Sequence, residues 1–368
     1  MRIAILLNAR FPTEKAYGIQ VLAMARGFRD SGHDVAIVFP RRSRTPYVQD
    51  TGIDFIPFGT FLHLSWGWVF HLARILGALQ SVSVLKKWKS DVVLVNDPVQ
   101  AAFLGSKMNV VWDVHDTPNP KSIWRRILIQ YILKKVKGIV STNNLKIDVL
   151  KNISQYIPLY IVLPNPVSFD ISIYRNIHRD DARQKLGISL TEKIVVYAGQ
   201  LYDWKGVDTL ILAGTQIDDI RIHIVGGQGS DLERCKKIAG KNIIFHGMQK
   251  PEMVPYWLRA ADIVAVPNSG KFEVSIRDTN PLKLYEALAA ESAIIASDLP
   301  SLHEATGNSG AVKFVEADNV EAWGSVISTM MSDVMCIMKM RDAAHHFPRL
   351  VNARERAEAS VCFFRNCV

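Results

Sequence analysis

Short apolar runs recur along the chain, separated by longer stretches in which apolar residues return every three or four positions. IAILL (3–7), HDVAIVFP (33–40), DVVLVN (91–96), NVVWDVHD (109–116) and GIVSTN (138–143) read as strands, and IQVLAMARGFRDSG (19–32) reads as a helix joining the first two. Continuous rather than alternating apolar runs belong to parallel sheets covered by helices on both faces. The periodicity lapses near 166–190, where Pro and charge take over, and then restarts. KIVVYAGQ (193–200), IRIHIVGG (220–227), NIIFHG (242–247), ADIVAVPN (261–268), SAIIASD (292–298) and AVKFVEA (311–317) supply at least six further strands. The expected class is therefore α/β, with two doubly wound domains at 1–170 and 185–349. NARERAEASVCFFRN (352–366) has its own apolar face and predicts a last helix, over about 350–368, that packs back on the first domain. Ligands of such sheets bind beyond the carboxyl ends of the strands, so the loops that follow strands are where chemistry is to be sought. With two domains, those ends can face each other across a cleft.

Composition narrows the classes. A chain of 368 residues, 48% hydrophobic, can bury more than one core. The first apolar run is too short and too soon interrupted for a signal peptide, which sets the expectation of a cytoplasmic protein. The cysteines, Cys235, Cys336, Cys362 and Cys367, form no C-x-x-C pair and read as reduced thiols. The net charge of +9 is uneven: residues 1–165 hold 21 Lys and Arg against 10 Asp and Glu, the remainder 23 against 25. Such an excess suits an anionic membrane surface, an anionic substrate or nucleic acid, and no nucleic-acid-binding motif accompanies it. Two segments favour membrane, FLHLSWGWVFHLARILGALQ (61–80) and KSIWRRILIQYILKKVKG (121–138). The second reads either as a helix lying in a lipid interface or as one with a core face and a solvated basic face. Pro57, glycines and histidines interrupt the uncharged run 55–73, which argues against a spanning segment.

The stretch DTNPLKLYEALAAESAIIASDLP (278–300) sets Asp278 and Glu286 eight residues apart across a helix start, with Asn280 as expected N-cap and Pro281 as first helical residue. The first turn of a helix offers free N–H groups and the positive end of its dipole, which bind phosphate or carboxylate. Glu286 is about one and a half turns in and can tilt back toward that end. Taken alone the stretch is equally an ordinary capped helix. GGQGSDL (226–232) after a strand suggests a nicotinamide fingerprint, but it lacks the third glycine and an acidic residue about twenty positions on. Gly18 is expected in the first strand-to-helix loop, where a side chain would block approach to a ligand. His115 follows VVWDV at the start of a loop, either as a cleft histidine or as a backbone cap.

The 278–300 stretch resembles the family 4 retaining glycosyltransferases of GT-B fold, whose second domain carries E-x7-E around a Pro-Leu-Lys helix start; here it reads D-x7-E. VYAGQLYDWKGVDTLI (196–211), IVGGQGSDL, IIFHGMQKPEMVPYWLRAADIVAVP and IIASDLPSLHE are similar to that family in order, and FPTEKAYGIQVLAMARGFRDSGHDV, VHD and VLPNPV more loosely. The resemblance implies two Rossmann-like domains facing across a cleft, an acceptor-binding domain at 1–170 and a nucleotide-sugar-binding domain at 185–349. It implies transfer of a hexose-type sugar from a UDP- or GDP-sugar to a glycan or lipid-linked acceptor in bacterial surface glycan synthesis. Neither a metal nor a further cofactor would be required. The basic, aromatic first domain adds the expectation that the enzyme is peripheral at the inner face of the plasma membrane and acts there on a lipid-linked acceptor. The resemblance assigns donor binding to Gly18, Gly199, Lys205, Gly227, Asn280, Pro281, Leu282, Lys283 and Glu286, the last on the ribose diol. It assigns catalytic work to His115, Lys205 and Asp278, with Lys205 stabilising the diphosphate leaving group. Asp278 is one methylene shorter than the usual Glu, Gln200 replaces a common Arg, and Ser168 stands near a usual Asp. A non-catalytic donor-binding subunit of a glycan assembly complex and a nucleotide-sugar epimerase of the same fold are the alternative readings.

Overall fold

The computed structural model describes residues 1–8, 11–12, 16–41, 50–59, 67–115, 122–348 and 350–368. It divides into two units, one of Met1–Ser168 with Ala353–Val368, the other of Phe169–Asn352.

The first unit is built on a seven-stranded parallel sheet: β1 (Arg2–Leu6), β2 (Asp34–Pro40), β3 (Ile53–Phe58), β4 (Val92–Val95), β5 (Val110–Val114), β6 (Gly138–Ser141) and β7 (Leu159–Val162), in the order β3-β2-β1-β4-β5-β6-β7. The five strands read from apolar runs occupy its middle. β3 and β7 are the two edges and only partly buried, so their apolar signal is diluted; Pro57 in β3 is tolerated because an edge strand can spare an N–H. The helix Ala353–Cys367 places Ala357, Val361 and Phe364 in the same core as Ile3, Ile5 and Phe28. It crosses the helix Ala16–Asp30 so closely that a Cβ on Gly27 would fall 2.3 Å from the Ala353 carbonyl oxygen.

The second unit holds a six-stranded parallel sheet: β8 (Ile194–Ala198), β9 (Arg221–Val225), β10 (Ile243–Gly247), β11 (Ile263–Val266), β12 (Ala293–Ser297) and β13 (Val312–Val315), in the order β10-β9-β8-β11-β12-β13. All six arise from apolar runs visible in the sequence. Both sheets reverse their winding direction beside their first strand, between β1 and β4 and between β8 and β11. A doubly wound sheet opens a ligand crevice at such a point, at the strands' carboxyl ends.

Among the described residues no helix is long and apolar enough to cross a membrane. Of the segment 61–80, residues 61–66 lie outside the described residues, and Gly67–Trp88 is a helix.

Candidate active site

In the second unit, the two strands flanking the switch point carry most of the residues singled out above. The chain leaves β8 through Gly199, at φ 154°. A Cβ on neighbouring Gly226 would meet the Gly199 carbonyl oxygen at 2.3 Å, so the loops after β8 and β9 touch backbone to backbone. Gly227, beside it, lies against Leu201. A 3-10 turn, Asp203–Lys205, follows, closed by Gly206 at φ 62°, a left-handed conformation that favours glycine. A Cβ at Gly206 would also lie 1.9 Å from the Pro267 carbonyl oxygen, beyond β11. The Ser269 amide and the Ser275 hydroxyl both donate to the Trp204 carbonyl, at 3.1 and 2.7 Å. The turn is thereby pinned across the switch point. Lys205 is half-buried with Nζ 3.8 Å above the Trp204 ring, and burial pushes its ammonium down to about 7.

The helix expected near 281 runs Leu282–Ala289. One correction applies to its start. Pro281 occupies the cap position, and Asn280 lies one residue further out, its side chain donating to the Tyr285 hydroxyl at 2.9 Å. Leu282 is the first helical residue. Lys283 is buried in the first turn, donating to the Tyr197 hydroxyl at 3.1 Å with Nζ 4.2 Å from that ring's centroid. A Cβ on Gly199 would be 3.8 Å from Lys283 Nζ. Burial, and then repulsion from Lys205, hold the Lys283 ammonium well below the usual lysine value. Two lysines nearly eighty residues apart in sequence are thus near enough to repel each other, and Lys283 is the one beside Gly199. Glu286 is 9% exposed and accepts a hydrogen bond from the Tyr174 hydroxyl at 3.3 Å. Asp278 ends a π-helical turn, Val274–Asp278, and is half-buried. Lysine side chains beside a helix amino end can hold a polyanion, and positive charge carried there stabilises negative charge developing on a leaving group.

In the first unit, Asn8 after β1 donates to Asp97 after β4 at 2.8 Å, across that sheet's switch point, and Arg74 pairs with the same carboxylate. His115 follows β5, and its Nε2 lies 2.9 Å from Asp113 Oδ2. Burial alone would raise the Asp113 carboxyl, yet His115, Arg356 and Lys146 together hold it below its usual range. Arg356 comes from the last helix and Lys146 from the start of Asn144–Ile153; both are buried. Sequence reasoning missed Asp113, although an acid inside the apolar run VVWDV was a visible signal. It could not have found Arg356, which lies some 240 residues away. The expectation for Gly18 is corrected: it is buried in the first turn of the helix Ala16–Asp30, not in the preceding loop. Most of that loop, residues 9–10 and 13–15, and residues 116–121 after His115 lie outside the described residues.

Two parallel sheets of this order, each with polar groups gathered at its switch point, define the GT-B class. Solved structures share the fold: sucrose-phosphate synthase from Thermosynechococcus elongatus (TM-score 0.80, 16% identity, 99% of this chain and 98% of that one), Anabaena HepE in complex with UDP and glucose (0.74, 15%, 99% of each), and the lipopolysaccharide-biosynthesis glycosyltransferase WaaG (0.73, 16%, 98% and 99%). Residues 192–333 match the family model described as glycosyl transferases group 1, and residues 18–169 the model of glycosyltransferase family 4. The chain belongs to the family 4 glycosyltransferases of GT-B fold. Relatives include the D-inositol 3-phosphate glycosyltransferases of Rhodococcus erythropolis, 26% identical over 59% of this chain and 50% of that protein, and of Nocardia farcinica, 27% identical over 49% and 42%. The chain spans about half the length of the curated relatives it matches.

Proposed function

We propose that the protein transfers a hexose-type sugar, with retention of configuration, from a UDP- or GDP-sugar to a glycan or lipid-linked acceptor of surface glycan synthesis. The approach of Lys205 to Lys283, which lies beside Gly199 in the first turn of the 282–289 helix, carries this reading. In it the two ammonium groups and the helix amides hold the diphosphate, and Glu286, a double acceptor, takes the ribose diol. Asp278 reaches the sugar hydroxyls. His115, oriented by Asp113, serves the transferred sugar or the acceptor from the first unit. As the glycosidic bond breaks, charge grows on the diphosphate, and Lys205 stabilises it without further reorganisation. The acceptor oxygen then bonds the anomeric carbon from the same face, the departing phosphate oxygen taking the acceptor hydroxyl's proton, with no resident cofactor or metal needed.

The helix Ile123–Lys135 supports a peripheral place at the inner, anionic face of the plasma membrane. Ile129, Ile132 and Leu133 are buried, while Ile123 (63%), Trp124 (77%), Ile127 and Tyr131 are exposed beside Arg125 and Arg126. An apolar ridge flanked by guanidinium groups suits a lipid headgroup layer.

The test is a donor screen. Incubation with UDP- and GDP-hexoses and a lipid-linked acceptor should release nucleoside diphosphate, and release should be lost in Lys205→Ala and Glu286→Ala. Binding of donor with no transfer to any acceptor would instead identify a donor-binding subunit, and transfer undiminished in both variants would remove the reading. Flotation with anionic liposomes should be salt-sensitive, and no flotation at low salt would remove the membrane placement.

A further inference from the structure

At the amino ends of β11 and β12, the opposite end of the second sheet from the donor-facing loops, lies a cavity of about 250 Å³. Arg179, Arg259 and Arg341 line it, from three separate helices, together with Glu291, Asp342 and His345. That volume is about eight waters' worth, more than a bare inorganic anion fills and enough for a small metabolite.

The surroundings are short of negative charge. Arg179 and Arg183 both pair with Asp262, the second at 2.9 Å, and Arg341 approaches the same carboxylate at 3.9 Å. Arg259 pairs with Glu291 at 2.8 Å, and Arg175 approaches Glu291 at 3.4 Å. Five guanidinium groups therefore share two inner carboxylates; Glu192 acts on Arg183 from a part-exposed position, and Asp342 and Asp180 add charge only from well-exposed ones. Asp262 is also committed to the Ile194 amide at 2.9 Å, and Glu291 to His345 at 2.6 Å. Several donors are left over. Arg179 Nε is buried with no hydrogen-bond partner among the described residues, and the hydrogen bond of Arg341 runs from Nη2 to the Ala261 carbonyl at 2.8 Å. A buried donor left unmatched is uncommon in a folded protein and calls for an acceptor such as a water or an anion. Burial, then Arg179, and also Arg259 and Arg183, lower Arg341's proton affinity, outweighing Asp262. Glu291 itself holds a left-handed backbone (φ 53°), an unfavourable state for a non-glycine residue that its ion pairs lock in place.

We propose that this arginine-lined cavity is a second ligand site, separate from the donor site, that binds a small metabolite through a phosphate or carboxylate group. The planar guanidinium fork matches either oxyanion with paired hydrogen bonds, and Arg341 and Arg179 supply the donors. The site has no part in the transfer chemistry, because the sheet separates it from Lys205 and Lys283.

The test is calorimetric titration of orthophosphate, and separately citrate, into the full chain carrying Lys205→Ala, at constant ionic strength in chloride. The substitution weakens competing anion binding at the donor site. One saturable site is expected for at least one of the anions, weakened about tenfold or more by adding Arg341→Gln. Absence of saturable binding for both anions, or equal affinity with Arg341→Gln, would overturn the proposal. Crystals grown without phosphate or sulfate and soaked in selenate give a readout independent of any arginine variant. An anomalous peak between Arg179 and Arg341 supports the site, and a clean map at saturating selenate refutes it.

Discussion

Lys205 offers the sharpest quantitative test. Its ammonium is pushed from the ordinary lysine value of 10.5 to about 7 by burial in the turn before Gly206. That shift corresponds to about 5 kcal/mol of penalty on the charged form. A diphosphate placed beside it reverses the balance, so binding should carry a proton with it. At pH 8 about one free molecule in eleven holds the charge, and at pH 9 about one in a hundred. If the donor binds the charged form, UDP affinity should fall about fiftyfold between pH 7 and pH 9, mostly above pH 8. This window lies above the titration of the terminal phosphate, near pH 6. Calorimetry at pH 8 in buffers of different ionisation enthalpy should report uptake of about 0.9 proton per UDP. Lys205→Arg, whose charge does not titrate in this range, should abolish both the uptake and the pH slope. Uptake near zero in the unaltered protein would refute the reasoning. Uptake undiminished in Lys205→Arg would transfer the effect to Lys283, which is depressed beside it.

Three further outcomes are expected. Gly206→Ala must hold a left-handed backbone and push a methyl to within 1.9 Å of the Pro267 oxygen, so thermal or urea unfolding should show a loss of about 3 kcal/mol or more, and a loss under about 1 would count against the tight turn. Glu286→Gln keeps a partner for Tyr174 but removes the charged acceptor, so UDP affinity should drop about ten- to a hundredfold and preference over the 2′-deoxy analogue should shrink; unchanged preference would take Glu286 off the ribose. His223 is buried, 3.0 Å from His246 and 5.5 Å in ring centroid from Trp257, and burial, then His246, Arg183 and Arg221, push it down to about 4. The unfolded chain takes up a proton near pH 6.5 and the folded chain does not until about 4, so stability is full above 6.5 and falls by about 3 kcal/mol as pH drops toward 4. His223→Gln should flatten that part of the pH dependence of unfolding, and an unaltered slope would rule His223 out as its source.

Much of this protein was legible in the order of its residues. Apolar runs buried on both faces announced parallel strands, and their alternation with helical stretches announced two doubly wound units, because a strand inside such a sheet has no solvent face to encode. β3 and β7 escaped for the converse reason: edge strands are half-exposed, and Pro57 mimics a break. Lys205, Lys283 and Glu286 were nameable because a motif stores local geometry, a turn and the first turns of a helix, within a few residues. Tertiary structure alone decided what those groups meet. It set Lys283 under Tyr197 and beside Lys205, moved the cap of the 282–289 helix from Asn280 to Pro281, and buried Gly18 within a helix. It also brought Arg356 from the last helix to Asp113, and Arg179, Arg259 and Arg341 from separate helices to one cavity. Such contacts leave no local pattern, because the interaction between charges depends on separation and burial in space, and neither is a property of distance along the chain.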